Sequence, residues 1–509
     1  MARSRGKNQD HRIADEHGTL YRRANREVVL CYPNTYRVAG ASLGLQVIYR
    51  LLNSRPSVSC QRAVMPEELV SGGVTPVIRS LEHGMALDGF DAVLFSIAYE
   101  LDIVHLAEML QASRIPAFAS ERTDDDPPVI VGGPLTQSNV LPLGAFVDVV
   151  VMGEAEEAGE VLLDWFEAGL SRGELMALAA EQPGMWVPSI HGDAVPDVLA
   201  VYGQHIPARG AWYSPQAEFR DMALLEASRG CPRYCKFCVV RAPVSPMRSP
   251  ALDRVVQALD EGVYRDAPRV GFVGAAVSDW PHIKPALRAA LDRGKGLGIS
   301  SLRADRLDEE FVDLLRLGGF RTMTVASDAA SQRMRGKMMK GLRERHFLSA
   351  ARLARAAGLY RLKMYVILGL PEEESTDLDE LISMCLRMSQ GMKMAITISP
   401  FVPKLHTPLA EAPFEAIASQ LKKIKYVQRA LGGKIEVRFD SPRWAWVEYR
   451  LSQGGIEAGP AAWKAWSDGG GYQAYKRAFA RLDGDDEKQE RAAVNAALHH
   501  DLWPVAGAR

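Results

Sequence analysis

Two series of short apolar runs, each followed by a helix-patterned stretch, constrain the fold of this 509-residue chain most strongly. The first series runs through 28–32, 92–97, 129–131 and 147–152, with helical patterns over 42–53 and 102–113. The second holds six candidate strands, at 222–227, 269–273, 297–301, 321–326, 362–368 and 394–399, separated by helical stretches such as 308–317 and 376–388. Apolar strands alternating with helices predict parallel sheets covered on both faces. Glycine-rich and polar turns follow the strands, at the carboxyl edge where such sheets bind ligands.

Five regions follow. Residues 1–26 form a polar basic arm, with Arg3, Arg5, Lys7, Arg12, Arg22, Arg23 and Arg26, read as a solvated segment. Residues 27–181 are expected to form a Rossmann-like, flavodoxin-like α/β domain. Residues 182–221, rich in Pro and Gly, read as a linker. Residues 222–410 hold the six repeats, too few for a closed eight-stranded barrel and suited to a partial (β/α)6 barrel. Residues 411–509 read as a small helical C-terminal region. Its Trp444, Trp446, Trp463 and Trp466 lie beside basic residues. Such interleaving can bind nucleic acid, but packing is the favoured reading.

Net charge is −1, so no global field recruits nucleic acid or anionic lipid. No apolar run is long enough to cross a bilayer, which predicts no membrane span and a cytoplasmic protein. Six cysteines in so long a chain do not suggest a disulfide scaffold. Cys31 and Cys385 read as small core residues and Cys60 as a loop residue without partners. His105 reads as a structural histidine.

Cys231, Cys235 and Cys238 crowd into one loop, Gly-Cys-Pro-Arg-Tyr-Cys-Lys-Phe-Cys, directly after the first strand of the second series. Thiolates suit zinc or iron–sulfur clusters. Structural zinc takes four protein ligands, and no fourth Cys or His lies nearby at finger spacing. Three thiolates on a four-iron cubane leave one iron open to an external ligand. Arg233 and Lys236 offset part of the cluster's negative charge.

The Cys-x-x-x-Cys-x-aromatic-Cys spacing, with Phe237 as the aromatic residue and Gly230 before it, resembles the signature of the radical S-adenosylmethionine (SAM) superfamily. Further segments agree across 222–408. Gly274 follows the second strand; Ser300, Ser301 and Arg303 end the third. The segment from Ala326 to Arg335 resembles the family's fourth-strand motif, with Asp328 replacing the usual Glu and Ala330 the usual Gly. Gly369 begins the fifth-strand turn. The resemblance implies a [4Fe-4S] cluster on the three cysteines as the catalytic metal site. It implies SAM held by Phe237, Gly274, Ser300, Ser301, Arg303, Asp328, Arg335 and Gly369. Reductive cleavage of SAM to a 5′-deoxyadenosyl radical follows, with reduced flavodoxin or ferredoxin as the electron donor.

The first domain resembles the cobalamin-binding-type domain of one large radical SAM class. That resemblance implies cobalamin contacts from Ser42, Gly44, Ser96, Gly132, Gly133, Gly153 and Glu154. The first loop, Pro33 to Gly40, lacks the Asp-x-His-x-x-Gly segment that supplies a cobalt ligand in many cobalamin proteins. The function implied is a cobalamin-dependent methyltransferase acting on an unactivated centre. The alternatives are a radical rearrangement, cyclisation, or tRNA or peptide modification without cobalamin, and a non-catalytic iron–sulfur protein.

Overall fold

The computed structural model describes residues 10–67, 76–241 and 246–483; Arg3, Arg5, Lys7 and the chain beyond 483 lie outside the described residues. Two compact units are present, Met1–Asp221 with Arg450–Arg509, and Met222–Tyr449.

The first unit holds a six-stranded sheet of β1 (Arg26–Tyr32), β2 (Val58–Val64), β3 (Ala92–Ser96), β4 (Val129–Gly132), β5 (Val149–Val151) and β6 (Met185–Trp186). Its order is β2-β1-β3-β4-β5-β6, parallel except for β6. The parallel part has the flavodoxin-like order. β1, β3, β4 and β5 are almost wholly buried, so they read as continuous apolar runs.

β2 carries polar residues and is equally buried. Arg62 stays inside because its guanidinium meets Glu16 at 2.7 Å and Glu82 at 2.6 Å and lies 4.1 Å over the Trp212 ring. Gln61 accepts from Ser80 at 2.7 Å, and Ser59 donates to the Arg22 carbonyl at 2.9 Å. Cys60 is therefore a buried strand residue, not a loop residue.

These contacts correct two expectations. The basic arm is not solvated from Asp10 onward: Ile13 is fully buried, and Glu16 is drawn in by Arg62. Nor is 182–221 a free linker, because it supplies β6 and buries Trp186 and Trp212 in the first unit's core. Aromatic anchoring overrides its Pro/Gly composition.

The second unit contains a three-stranded sheet, β7 (Met222–Ser228), β8 (Arg269–Gly274) and β9 (Gly296–Ile299). Four more strands follow, β10 (Thr322–Ala326), β11 (Arg361–Leu368), β12 (Lys393–Pro400) and β13 (Glu436–Phe439). All pairings are parallel, and a bridge between Leu302 and Val325 joins the two sheets into an open barrel wall. On β11, Leu362, Met364, Val366 and Leu368 are buried, while Arg361, Lys363, Tyr365 and Ile367 are only half-buried. The apolar set faces the covering helices and the other set faces the interior of the wall.

The region 411–509 is not one helical body. β13 adds a seventh strand to the wall, and the chain from Arg450 belongs to the first unit. There the amide of the buried Asn139 donates to the carbonyls of Leu451, at 3.0 Å, and Gly454, at 2.7 Å. In the helix Ala458–Ser467, a Cβ at Gly459 would lie 1.9 Å from the Pro142 carbonyl, so only glycine permits this approach. Trp466 donates to Glu108 at 3.1 Å and its ring packs edge-on to His105, whose Nδ1 lies 3.1 Å from the Pro33 carbonyl. Both residues have structural roles.

Candidate active site

β7 leads directly into the cysteine loop. Gly230 turns it with φ of 74°, a conformation that favours glycine. Arg229 and Arg248 exchange backbone hydrogen bonds of 2.8 and 2.7 Å at its base. The Cys238 N–H donates to the Cys235 carbonyl at 3.2 Å, and the Lys236 N–H to the Met338 carbonyl at 3.1 Å. Cys235 is buried; Cys231 and Cys238 are half-buried, and all three are free thiols. Burial pushes the Cys235 and Cys238 thiols up, and the Lys340 ammonium opposes that rise at both. Among the described residues, no three His, Cys, Asp or Glu side chains converge on one ion. A cubane asks something different of its ligands, one thiolate for each of three irons. Phe237 packs against a patch of Ala329, Met334, Met338, Leu370 and Phe401, so the loop leans on the ends of the later strands.

At the end of β8, a Cβ on Gly274 would lie 2.5 Å from both the carbonyl and the Oγ of Ser228. That Oγ is buried without a partner. Beyond β9, Ser300 and Ser301 are exposed. The Arg303 guanidinium reaches Asp305 at 3.0 and 3.1 Å and the Lys340 carbonyl at 3.3 Å. Asp279, after β8, is the hub that sequence reading missed. It binds Arg233 of the cysteine loop, takes Arg306 at 2.8 Å and has Arg303 at 3.9 Å. Burial alone would raise its carboxyl, but the three guanidiniums hold it below the usual range. No local spacing signals this hub, since its partners come from two other loops, the cysteine loop and the segment after β9.

Asp328 has φ of 54° and forms an ion pair with Lys340, a second residue that sequence reading did not single out. Gly369, with φ of 86°, donates its N–H to Glu373 at 3.1 Å. The buried Glu373 is held by Lys423 at 2.9 Å, and Lys423 also meets Glu415. Arg335 turns inward. It is fully buried, bonded to the Leu342 carbonyl at 3.3 Å and Ser327 Oγ at 3.4 Å, and stacked on Phe347. Its Nη2 is left without a hydrogen-bond partner.

Of the seven residues expected at cobalamin, Ser96, Gly132, Gly133, Gly153 and Glu154 lie at or just after strand ends of the first unit and Ser42 and Gly44 at the start of the helix Leu43–Leu52, and most are engaged by the chain itself. A Cβ at Gly153 would lie 2.2 Å from the Leu199 carbonyl. Glu154 accepts from the Val201 N–H at 2.7 Å, and its own N–H donates to Leu199 at 2.9 Å. Gly133 closes on the Ile97 backbone, within 2.6 Å of a would-be Cβ and 3.2 Å from Ser96 Oγ. Ser42 caps the helix Leu43–Leu52 by accepting from Leu45 at 3.3 Å. Gly132 meets only ordinary contacts with Val151, and Gly44 meets none. Leu199 and Val201 thus occupy the backbone at Gly153 and Glu154, while Gly44 and Gly132 are left uncrowded.

Comparison with known proteins fixes the class. Residues 225–385 match the profile of the radical SAM superfamily, and residues 44–188 match that of radical SAM proteins, N-terminal. The chain belongs to the radical SAM superfamily. It is 28% identical over 415 residues to an uncharacterized protein of Methanocaldococcus jannaschii, a match covering 80% of this chain and 83% of that one. It is 23% identical over 286 residues to an uncharacterized methyltransferase of Pyrococcus horikoshii, covering 54% of this chain and 61% of the relative. Among solved structures it resembles the cobalamin-dependent S-adenosylmethionine radical enzyme OxsB with aqua-cobalamin and S-adenosylmethionine bound. The TM-score is 0.51 at 12% identity, covering 92% of this chain and 74% of that enzyme. The match to OxsB with aqua-cobalamin alone spans 56% of that enzyme. At these identities the likeness is one of fold.

Proposed function

We propose that this radical SAM enzyme holds a [4Fe-4S] cluster through Cys231, Cys235 and Cys238 and cleaves SAM reductively to activate a substrate in the barrel. The observation that carries this reading is the clustering of three free thiols on one loop, directly after the first barrel strand, beside Arg303 and Lys340. When bound, the reduced cluster supplies one electron to SAM, and SAM supplies the 5′-deoxyadenosyl radical that takes a substrate hydrogen. The chain's own tasks are to bind and orient. Ser300 and Ser301 offer exposed hydroxyls to the polar groups of SAM. Asp328 offers a carboxylate that Lys340 already positions. Gly369, braced by Glu373, presents a backbone turn. Asp279 fixes Arg233 and Arg306 around the cysteine loop.

The test is anaerobic reconstitution. About four irons per chain, a paramagnetic reduced state that changes when SAM is added, and 5′-deoxyadenosine formation are the expected results. Zinc at the loop, or a cluster indifferent to SAM, would remove the reading and leave an iron–sulfur protein or less.

Cobalamin-dependent methyl transfer is the finer reading that the family resemblance suggests. It would require the contacts of Leu199 and Val201 with Gly153 and Glu154 to open. We favour radical chemistry without cobalamin. Titration with hydroxocobalamin is expected to leave the corrin spectrum and the 5′-deoxyadenosine yield unchanged. S-adenosylhomocysteine formed only when cobalamin is present would reverse that choice.

A further inference from the structure

The interior face of the barrel wall carries a polar shelf below the cysteine loop. Parallel register aligns Tyr365 with Ala326 on one side and Thr397 on the other, and aligns Lys363 with Thr324 and Ala395. Ile367, two residues nearer the carboxyl ends of the strands, touches the patch that holds Phe237. At about 3.3 Å of rise per residue, Tyr365 and Lys363 lie roughly 7 and 13 Å below that level. A substrate reaching from the mouth into the barrel would pass them.

The Lys363 ammonium donates to the Tyr365 hydroxyl at 3.0 Å and lies 4.6 Å over its ring. No described carboxylate lies within ion-pair distance of it. Glu436, the acid in the same register row, is taken by Arg361 at 3.1 Å and Arg438 at 2.6 Å. An ammonium has three donors, and here the protein uses one. Thr397 Oγ1, in the row of Tyr365, is buried with no hydrogen-bond partner. The two rows, with Arg361 beside them, therefore hold spare donors and an excess of cations, Lys363, Arg361 and Arg438 against Glu436, where a charge-assisted hydrogen bond is strong.

We propose that Lys363, with Tyr365 and Thr397, binds an oxyanion of the substrate, a carboxylate or a phosphate, and so selects an anionic substrate for the barrel. This rests on the radical SAM reading in placing the substrate there. Lys363 and Tyr365 determine specificity and take no part in SAM cleavage.

The experiment uses the reconstituted full chain with its lysines ¹³C-labelled biosynthetically at Cε, which leaves every ammonium donor in place. The Lys363 signal is assigned through Lys363→Arg, then titrated with inorganic phosphate and separately with acetate, against chloride at matched ionic strength. A saturable shift with one of the two anions, weakened severalfold in Tyr365→Phe and in Thr397→Val, is the expected result, and the responsive anion names the group. A shift that tracks ionic strength alike for all three anions would overturn the proposal. Circular dichroism of each variant separates lost binding from lost folding. Iron content and 5′-deoxyadenosine yield of the unlabelled wild type report separately on the radical SAM reading, so that its failure is not mistaken for failure of the shelf.

Discussion

After β5, Gly153 closes on Leu199 and Glu154 takes the Val201 N–H. After β9, by contrast, Ser300 and Ser301 stay exposed, and after β7 three thiols stay free. Both places show glycines and polar residues at the carboxyl ends of parallel strands, where α/β proteins bind ligands. After β5 the polar groups of Gly153 and Glu154 are engaged within the chain. After β7 and β9 the thiols and the Ser300 and Ser301 hydroxyls are left over, and leftover hydroxyls and thiolates are what a cofactor can use. A strand-end glycine signals that something approaches closely, and only the fold tells whether it is a ligand or the protein's own backbone.

The contrast breaks most readily at the cysteines. Cys231→Ala, Cys235→Ala or Cys238→Ala is expected to abolish SAM cleavage and strip most of the iron. Cys60→Ala, in a strand of the first unit, should leave iron content unchanged and cost about 1 kcal/mol of stability through its small cavity. Iron assays and urea unfolding check both. Loss of iron from the Cys60 variant would mean that the first unit contributes to the metal site after all.

A second test asks whether the first unit's buried charges are purely structural. Arg62→Met leaves Glu16 and Glu82 buried and unpaired. Breaking such a pair costs about 3–5 kcal/mol. The expected result is a large loss of stability in denaturant, with the cluster spectrum of the still-folded fraction unchanged. An altered spectrum in that fraction would show that the two regions are coupled.

Gly369→Ala sharpens the comparison in the second unit. The alanine must adopt φ of 86°, and its Cβ would approach Glu415 Oε2 to 2.9 Å. A left-handed conformation costs a side chain about 1–2 kcal/mol, so SAM affinity should fall roughly tenfold while iron content holds. Equilibrium binding of SAM measures this. Unchanged affinity would remove the Gly369 turn from the SAM cradle.

What was legible in the sequence follows the range of the interactions. β1, β3, β4 and β5 are buried on both faces and announce themselves as apolar runs. β2 was invisible because Ser59, Gln61 and Arg62 interrupt it, and their partners lie 19 to 46 residues away. β13 is short and largely exposed, so it lacks an apolar face. The cysteine loop was legible because its spacing is local. Asp279 and Lys340 were not, since each matters only through residues brought in by other strands. Arg335 is the converse case: motif position places it near a strand end but does not say that its side chain turns into the core.

The smallest expected effect concerns the support beneath the site. Asp377 accepts from Ser331 Oγ, binds the Arg333 guanidinium and accepts the Glu374 N–H at 2.8 Å. Burial alone would raise its carboxyl, but Arg333 and Ser331 hold it below the usual range. A carboxyl depressed in the folded state stabilises fully above its unfolded value, about 3.9, and that contribution is lost as pH falls through the lower folded value. Asp377→Asn should therefore cost about 1 kcal/mol at neutral pH and progressively less on acidification. Urea unfolding of both proteins at neutral and acid pH reads this as converging stabilities. A gap that stays constant with pH would show that Asp377 acts through hydrogen bonds an amide cannot replace, with no share from its charge.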